Sequence, residues 1–200
     1  MSIDSDGRGT LLTTASCQLH PQRNPGLSRQ DIEHRFRALF GVERVLWLDQ
    51  GCLEGDDTDG HVDMLARFCD PQTLVYQSCD EPAYPCYDAL QSMLAQLQSL
   101  RDAQGRPYRL IALPWPRPQL DEQGRRLPAS YANFLVINGT VLLPTYGDPG
   151  DSVAAQQLQR CFPERDIVPV DCRALIHQHG SLHCLTMQFP AGVMFRAAAD

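Results

Sequence analysis

Residues 133–144 read NFLVINGTVLLP and decide the fold. Two apolar runs, 133–137 and 140–144, flank Asn138-Gly139, which predicts a β-hairpin closed by a type I′ turn. Ala154, Leu158 and Cys161 then follow at helical spacing, and residues 167–170 read as another strand. The segment therefore predicts a unit of two strands, one helix and a third strand.

The same order recurs twice earlier in the chain. In the first unit, strands at 2–4 and 10–14 precede a helix that Ser28 would cap and a strand at 42–48. In the second, strands at 61–68 and 73–77 flank Asp70-Pro71, a helix begins near Pro85, and a strand spans 109–113. Such recurrence is typical of stacked repeat units.

These repeats predict a single domain of class α/β that spans residues 1–200. Its units cover approximately residues 1–50, 57–114 and 131–171, and residues 181–190 would open a further unit with a strand at 182–188. A repeat architecture that is cut open exposes apolar faces, so we expect either a homo-oligomer or a complementing chain.

Composition narrows the class of protein. Two hundred residues with 43% apolar content support one sizeable core, and the net charge of −7 disfavours a nucleic-acid partner. Apolar runs stay far below the ~20 residues of a membrane span, so no membrane partner is expected. The eight cysteines include no CxxC pair and the chain opens on no signal-like segment, which favours a cytoplasmic protein with most thiols in its core.

Three residues carry the strongest chemical signal: His61, Asp63 and Cys184. If residues 61–68 form a strand, His61 and Asp63 point to the same side and can face one ligand. A cysteine sulfur supplies a nucleophile, an imidazole moves protons, and a carboxylate binds a cation. The combination predicts attack by sulfur on the carbon of a guanidinium compound.

Each of these residues also has a structural explanation. A His-x-Asp pair more often forms a hydrogen-bonded strand face, and a cysteine is more often a buried core residue. The acidic loop, residues 55–60, contains Asp57, which suits a cationic substrate, although acidic runs between glycines are commonly turns with internal hydrogen bonds.

Four further side chains are weaker candidates. Tyr131 and Asn133 suit hydrogen bonding at a strand end, and Trp115 suits either loop packing or stacking on a guanidinium plane. Arg67 is expected to pair with an acidic residue.

A zinc site is the main alternative near the C-terminus. Cys172, His177, His179, His183 and Cys184 lie close in sequence, but their spacing lacks the paired CxxC arms of structural zinc sites. We therefore expect no metal and no cofactor.

Several motifs together resemble one known family. They are IDSDGRGTLLTT (3–14), Asn24-Pro25, GDDTDGHVD (55–63), YANF (131–134), GDP (147–149) and HCLT (183–186). This set resembles the agmatine deiminases, which belong to the wider group of peptidylarginine-deiminase-like enzymes that modify guanidines. The resemblance covers residues 3 to about 190, and GDDTDGHVD is its most specific part.

The resemblance implies a pentein-type α/β propeller of five ββαβ blades, of which about three are present as the C-terminal portion. It also implies that Cys184 attacks the guanidinium carbon, that His61 moves protons, and that Asp63 and Asp57 bind the substrate. The implied reaction hydrolyses agmatine to N-carbamoylputrescine and ammonia, a step toward putrescine.

Some residues depart from the family pattern. Met64 replaces an asparagine, Met187 replaces a glutamine, and Gln178-His179 interrupts a glycine-rich loop before Cys184. Peptidyl arginine and other guanidines therefore remain alternative substrates. Two hypotheses follow: an agmatine-deiminase-like hydrolase that is impaired in this chain, or an inactive propeller fragment that acts as a binding or assembly module.

Overall fold

The computed structural model describes residues 1–189 and residue 193. Among these residues, nine strands form three three-stranded sheets, in each of which an antiparallel pair is extended by a parallel third strand. The sheets contain β1 (Ile3–Ser5), β2 (Thr10–Thr14) and β3 (Arg44–Leu48); β4 (Ala66–Asp70), β5 (Thr73–Gln77) and β6 (Arg109–Leu113); and β7 (Leu135–Ile137), β8 (Thr140–Thr145) and β9 (Asp166–Asp171).

A helix crosses from the second to the third strand of each sheet. The helices are α1 (Ala15–Gln18), a single turn after β2, and the three crossover helices α2 (Arg29–Phe40), α3 (Tyr87–Ser99) and α4 (Gly150–Cys161). The predicted α/β class and the ββαβ order are confirmed. Within residues 1–189 and 193, no helix has the length and apolar character needed to cross a bilayer. The sheets do not close on themselves, so the five-blade propeller stays a prediction.

Local sequence signals set the element ends as expected, with one difference. Ser28 and Asp31 form a reciprocal capping box at the start of α2, and Gly41 ends that helix with a φ of 66°. Asn138-Gly139 joins β7 to β8, and Gly139 has a φ of 75°. Asn138 keeps a negative φ, so the predicted type I′ turn, which needs positive φ at both central residues, is wrong.

Two predicted strands are also wrong. Residues 61–68 do not form one strand, because Val62–Met64 is a 3-10 turn and β4 begins only at Ala66. Residues 62–66 are all buried, whereas a strand with one solvated face would alternate. The strand predicted at 182–188 is replaced by the 3-10 turn His183–Leu185, and residue 190 of the predicted fourth unit lies outside the described residues.

A buried ion pair joins the three sheets. Arg67 of β4 donates from Nε to Asp4 of β1 at 2.9 Å, and the backbone N–H of Phe68 donates to the same carboxylate at 2.7 Å. The Arg67 guanidinium also hydrogen-bonds the carbonyl oxygen of Phe134 and lies 4.7 Å from the centroid of its ring. The prediction that Arg67 pairs with an acidic residue is confirmed, and Phe134 directly precedes β7.

Arg67→Ala is therefore expected to lower the free energy of unfolding by about 3–5 kcal/mol, because it leaves the Asp4 carboxylate buried without its cation. The exposed i,i+4 pair of Arg37 with Glu33 is the matched control, and Arg37→Ala should cost only a few tenths of a kcal/mol. Urea unfolding followed by circular dichroism measures both. Equal losses in the two variants would contradict a role for the buried pair in holding the sheets together.

Candidate active site

The acidic loop is folded by one of its own side chains. Asp56 accepts hydrogen bonds from the backbone N–H groups of Thr58 at 3.0 Å and Gly60 at 3.1 Å. The carbonyl oxygen of Gly60 accepts in turn from the hydroxyl of Thr14 at 2.7 Å, which attaches the loop to the end of β2. The loop therefore delivers the next residue, His61, to a fixed position.

The other two carboxylates of the loop have different surroundings. Asp59 accepts from Arg23 at 3.0 Å and lies 3.8 Å from the imidazole of His20. Asp57 is exposed. Its substrate-binding role stays a prediction.

Asp63 lies at the centre of the site and is fully buried. Its Oδ2 atom accepts from His183 Nδ1 at 2.7 Å and from Asn133 Nδ2 at 3.1 Å, and lies 2.5 Å from the ammonium group of Met1. Burial raises the pKa of a carboxyl group, but His183 and the Met1 ammonium outweigh burial and lower the pKa of Asp63 to about 2. The carboxylate is therefore ionised at neutral pH.

The site contains buried polar atoms that have no partner among the described residues: Asp63 Oδ1, His61 Nε2 and His183 Nε2. An unpaired buried acceptor costs free energy and is uncommon. An ionised carboxylate oxygen and an unprotonated ring nitrogen are both acceptors, so these atoms can receive the N–H groups of a planar cation.

His61 directly precedes the 3-10 turn that carries Asp63, and its side chain is half-buried. Burial lowers the pKa of His61, and the Met1 ammonium lowers it further against the opposing effect of Asp63. The imidazole is therefore neutral at physiological pH and able to accept a proton. The predicted strand that would place His61 and Asp63 on one face is wrong, because Asp63 lies in the 3-10 turn Val62–Met64 and His61 precedes that turn.

Cys184 lies in the turn His183–Leu185 and is half-buried. Its Sγ atom is 3.5 Å from Asn133 Nδ2 and 4.0 Å from the sulfur of Met64. Gly180 packs so closely that a Cβ atom there would lie 2.9 Å from the Cβ of Cys184. Burial, followed by the charge of Asp63, raises the pKa of the Cys184 thiol, so a cation is needed to favour the thiolate.

The structure brings two of the three predicted catalytic residues together. Asn133 Nδ2 contacts both Asp63 Oδ2 and Cys184 Sγ, so these atoms cannot be farther apart than the sum of the two contact distances. Asp63 opposes the lowering of the pKa of His61, so the carboxylate lies within electrostatic range of the imidazole. Its convergence with Cys184 on one substrate stays a prediction.

The weaker candidates have structural roles of their own. Tyr131 donates a hydrogen bond to Asp151 at 2.8 Å. The ring centroid of Trp115 lies 4.8 Å from the guanidinium carbon of Arg126, so Trp115 stacks on a guanidinium of the protein itself. Within the described part of the chain, no three histidine, cysteine or acidic side chains are grouped as metal ligands.

The sequence did not indicate the disulfide bond between Cys52 and Cys86. This bond attaches the segment that precedes the acidic loop to the start of α3. Disulfides are uncommon in a reducing cytosol, and the cytoplasmic location stays a prediction. Asn133 was only a weaker candidate in the sequence, and its contacts with Asp63, His183 and Cys184 were not predicted.

Comparisons with known proteins match this chain over nearly all of its length. A family profile described as Porphyromonas-type peptidyl-arginine deiminase matches residues 1–190. A curated agmatine deiminase from Pseudomonas fluorescens is 39% identical over 207 residues, covering 95% of this chain and 56% of the relative. The chain thus spans about half the length of the curated relatives it matches.

Solved structures agree. A structure from Porphyromonas gingivalis, provisionally described as an arginine deiminase, has 51% identity and a TM-score of 0.92 over 96% of this chain and 56% of its own. A Campylobacter jejuni agmatine deiminase with bound substrate has 38% identity and a TM-score of 0.85 over 91% of this chain and 53% of its own. The resemblance found in the sequence is confirmed, and the chain belongs to the Porphyromonas-type peptidyl-arginine deiminase family.

Proposed function

We propose that this chain carries the reacting centre of an agmatine-deiminase-like hydrolase, which converts agmatine and water to N-carbamoylputrescine and ammonia. The observation that carries the proposal is the buried, ionised Asp63, whose Oδ1 atom is unpaired and whose Oδ2 atom is linked through Asn133 to the sulfur of Cys184. A buried carboxylate with a free oxygen binds a guanidinium strongly, since the N–H donors of the cation replace water.

In the proposed reaction, Asp63 binds the guanidinium nitrogens, the thiol of Cys184 gives its proton to the neutral His61, and the sulfur attacks the central carbon, forming a C–S bond. The C–N bond to the departing nitrogen then breaks, and His61 transfers the proton that lets it leave as ammonia. Water, deprotonated by His61, attacks the resulting thiouronium carbon, and the C–S bond breaks to release the ureido product and the thiolate. Asp57 would bind the distal ammonium group of agmatine.

The substrate itself supplies the charge that the nucleophile lacks. In the free protein, burial and Asp63 hold Cys184 in the thiol form. A bound guanidinium neutralises Asp63 and places a positive charge beside the sulfur, which favours the thiolate. Chemistry would then begin only after the cation has bound.

We further propose that the three ββαβ units form part of a pentein-type propeller. Because the chain spans about half the length of its curated relatives, turnover by this chain alone is expected to be slower than that of a full-length relative. Such relatives are named for agmatine, whereas the matching family profile is named for peptidyl arginine, so both substrate classes belong in the test.

A second candidate function is an inactive module that binds another polypeptide. It is favoured by a cavity of about 880 Å³ beside β7, lined by residues 135–139, Arg165 and residues 187–189. Ile137 and Met187 are exposed there, and in the described sheet β7 pairs only with β8. Analytical ultracentrifugation separates the two candidates in part, because a stable monomer argues against assembly.

Incubation with agmatine is expected to release ammonia and a ureido product in equal amounts, and Cys184→Ala should abolish both. Cys79→Ser, which alters a buried thiol in the second unit, should retain activity. An arginine-containing peptide is assayed in parallel to compare substrate classes. Turnover that survives Cys184→Ala would contradict the proposed nucleophile.

Charge selection at the nucleophile can be measured without turnover. The cationic electrophile 2-chloroacetamidine and its neutral isostere 2-chloroacetamide both alkylate thiols. For each thiol, the alkylation rate with 2-chloroacetamidine is divided by the rate with 2-chloroacetamide. This ratio should be about tenfold higher at Cys184 than for a free thiol, because ion pairing worth about 1.4 kcal/mol corresponds to a factor of ten.

Asp63→Asn should return that ratio to the free-thiol value, whereas Asp166→Asn, an exposed charge change at the start of β9, should leave it unchanged. Peptide mass spectrometry locates the modification. An unchanged ratio in folded Asp63→Asn protein would show that another group recognises the cation.

The pH dependence of Cys184 alkylation follows from its environment. Because burial and Asp63 raise the pKa of this thiol, reaction with chloroacetamide should rise at a higher pH than it does for free cysteine. Saturating guanidinium or agmatine should move the midpoint to lower pH, since a nearby cation favours the thiolate. A midpoint at or below that of free cysteine that does not respond to either cation would contradict substrate-assisted activation.

A further inference from the structure

Asn133 lies at the junction of the segments that carry the proposed reacting groups. It is fully buried just before β7, and its own backbone is held by a hydrogen bond from its N–H to the carbonyl of Ser130 at 3.3 Å. The hydroxyl of Ser130 donates at 2.7 Å to the carbonyl oxygen of Met64, in the turn that carries Asp63. The side chain of Asn133 is therefore rigidly placed between that turn and the turn of Cys184.

The orientation of its amide is unambiguous. Oδ1 accepts from the backbone N–H of His183 at 2.8 Å and from that of Cys184 at 3.4 Å, and only an oxygen can accept there. The amide nitrogen must consequently face the other way. It lies 3.1 Å from Asp63 Oδ2, 3.3 Å from the Asp63 carbonyl oxygen and 3.5 Å from Cys184 Sγ.

The two hydrogens of this amide nitrogen have separate acceptors. One can be donated to Oδ2 and the backbone carbonyl oxygen of Asp63, and the other to the sulfur of Cys184. We propose that Asn133 is a positioning residue of the reaction, whose amide orients the turn of the nucleophile through Oδ1 and stabilises the Cys184 thiolate through Nδ2. The role of Asn133 in a reaction rests on the proposed function, but its effect on the ionisation of Cys184 is a property of the protein without substrate.

The chemistry of the sulfur explains why the donor favours the ionised form. In the thiol form the S–H points toward the sulfur of Met64 at 4.0 Å while Sγ accepts from Asn133. On ionisation the first contact is lost, whereas the second becomes a charge-assisted hydrogen bond, which is stronger. The amide donor opposes the effects of burial and of Asp63, which both raise the pKa of Cys184.

No isosteric residue can substitute for asparagine here. Aspartate keeps the shape but replaces the donor with a second carboxylate beside Asp63, and leucine removes both functions. Glutamine adds a methylene group to a position that has no exposed surface.

The test follows the rate of Cys184 alkylation by iodoacetamide against pH in Asn133→Asp, with peptide mass spectrometry resolving this thiol from the others. We expect the profile to move at least about one unit to higher pH, and the rate at pH 7.5 to fall about tenfold or more. Asn138→Asp, the same change in the exposed β7–β8 hairpin, is the matched control and should leave the profile unchanged. A folded Asn133→Asp protein whose profile superimposes on that of the unaltered protein would overturn the inference.

A second measurement needs no substitution and covers the case in which Asn133→Asp fails to fold. In ¹⁵N-labelled protein, the side-chain amide resonances of Asn133 should move as Cys184 is titrated, and should stop moving once the sulfur is alkylated. Resonances that stay fixed through the titration would overturn the inference. Absence of agmatine turnover would count against the proposed function alone, because neither measurement here depends on turnover.

Discussion

The buried carboxylate of Asp63 is the group on which the rest of the site depends. A carboxylate removed from water carries a large desolvation cost unless donors compensate it. Here the compensation comes from His183 and Asn133, which lie more than sixty residues away along the chain. Satisfying one side chain therefore requires the second unit, the segment just before β7 and the turn of Cys184 to meet at a single point.

Several local features accompany this arrangement. The segment after the acidic loop forms a 3-10 turn, and its consecutive residues Val62, Asp63 and Met64 are all buried. Arg67 lies in β4, four residues after Asp63. Its contacts with Asp4 and Phe134 hold β4 against β1 and against the residue that precedes β7. Phe134, which contacts Arg67, directly follows Asn133, which contacts Asp63, so the ion pair and the buried carboxylate are held by neighbouring residues.

Most of the fold could be predicted from the sequence because its signals are local. The Asn138-Gly139 turn, the Ser28 cap and the apolar spacing of α4 each report on a few neighbouring residues. The error at residues 61–68 arose where burial by distant segments overrides local preference, because residues 62–68 are all buried. At 182–188 only the first two residues are buried, and the chain forms the 3-10 turn His183–Leu185, with Leu185 and Met187 exposed.

The site was predictable in its residue types but not in its connections. GDDTDGHVD and His183-Cys184 indicated the chemistry, and the structure brings Asp63 and Cys184 into contact with a shared partner. That partner, Asn133, carries no pattern that separates it from a strand-end asparagine, and the pairing of Cys52 with Cys86 cannot be deduced from a spacing of 34 residues. The contacts of Asn133 and the pairing of Cys52 with Cys86 both depend on packing between segments that are distant in the sequence.

The ionisation state of Asp63 tests the central claim most directly. In protein labelled at the aspartate side-chain carbons, the ¹³C carboxyl resonance of Asp63 is followed against pH, with and without agmatine. The account predicts a pKa of about 2, so that the resonance is that of a carboxylate at neutral pH, and a shift of that resonance when agmatine is added. A resonance that titrates above the ordinary aspartate range and does not respond to agmatine would contradict it.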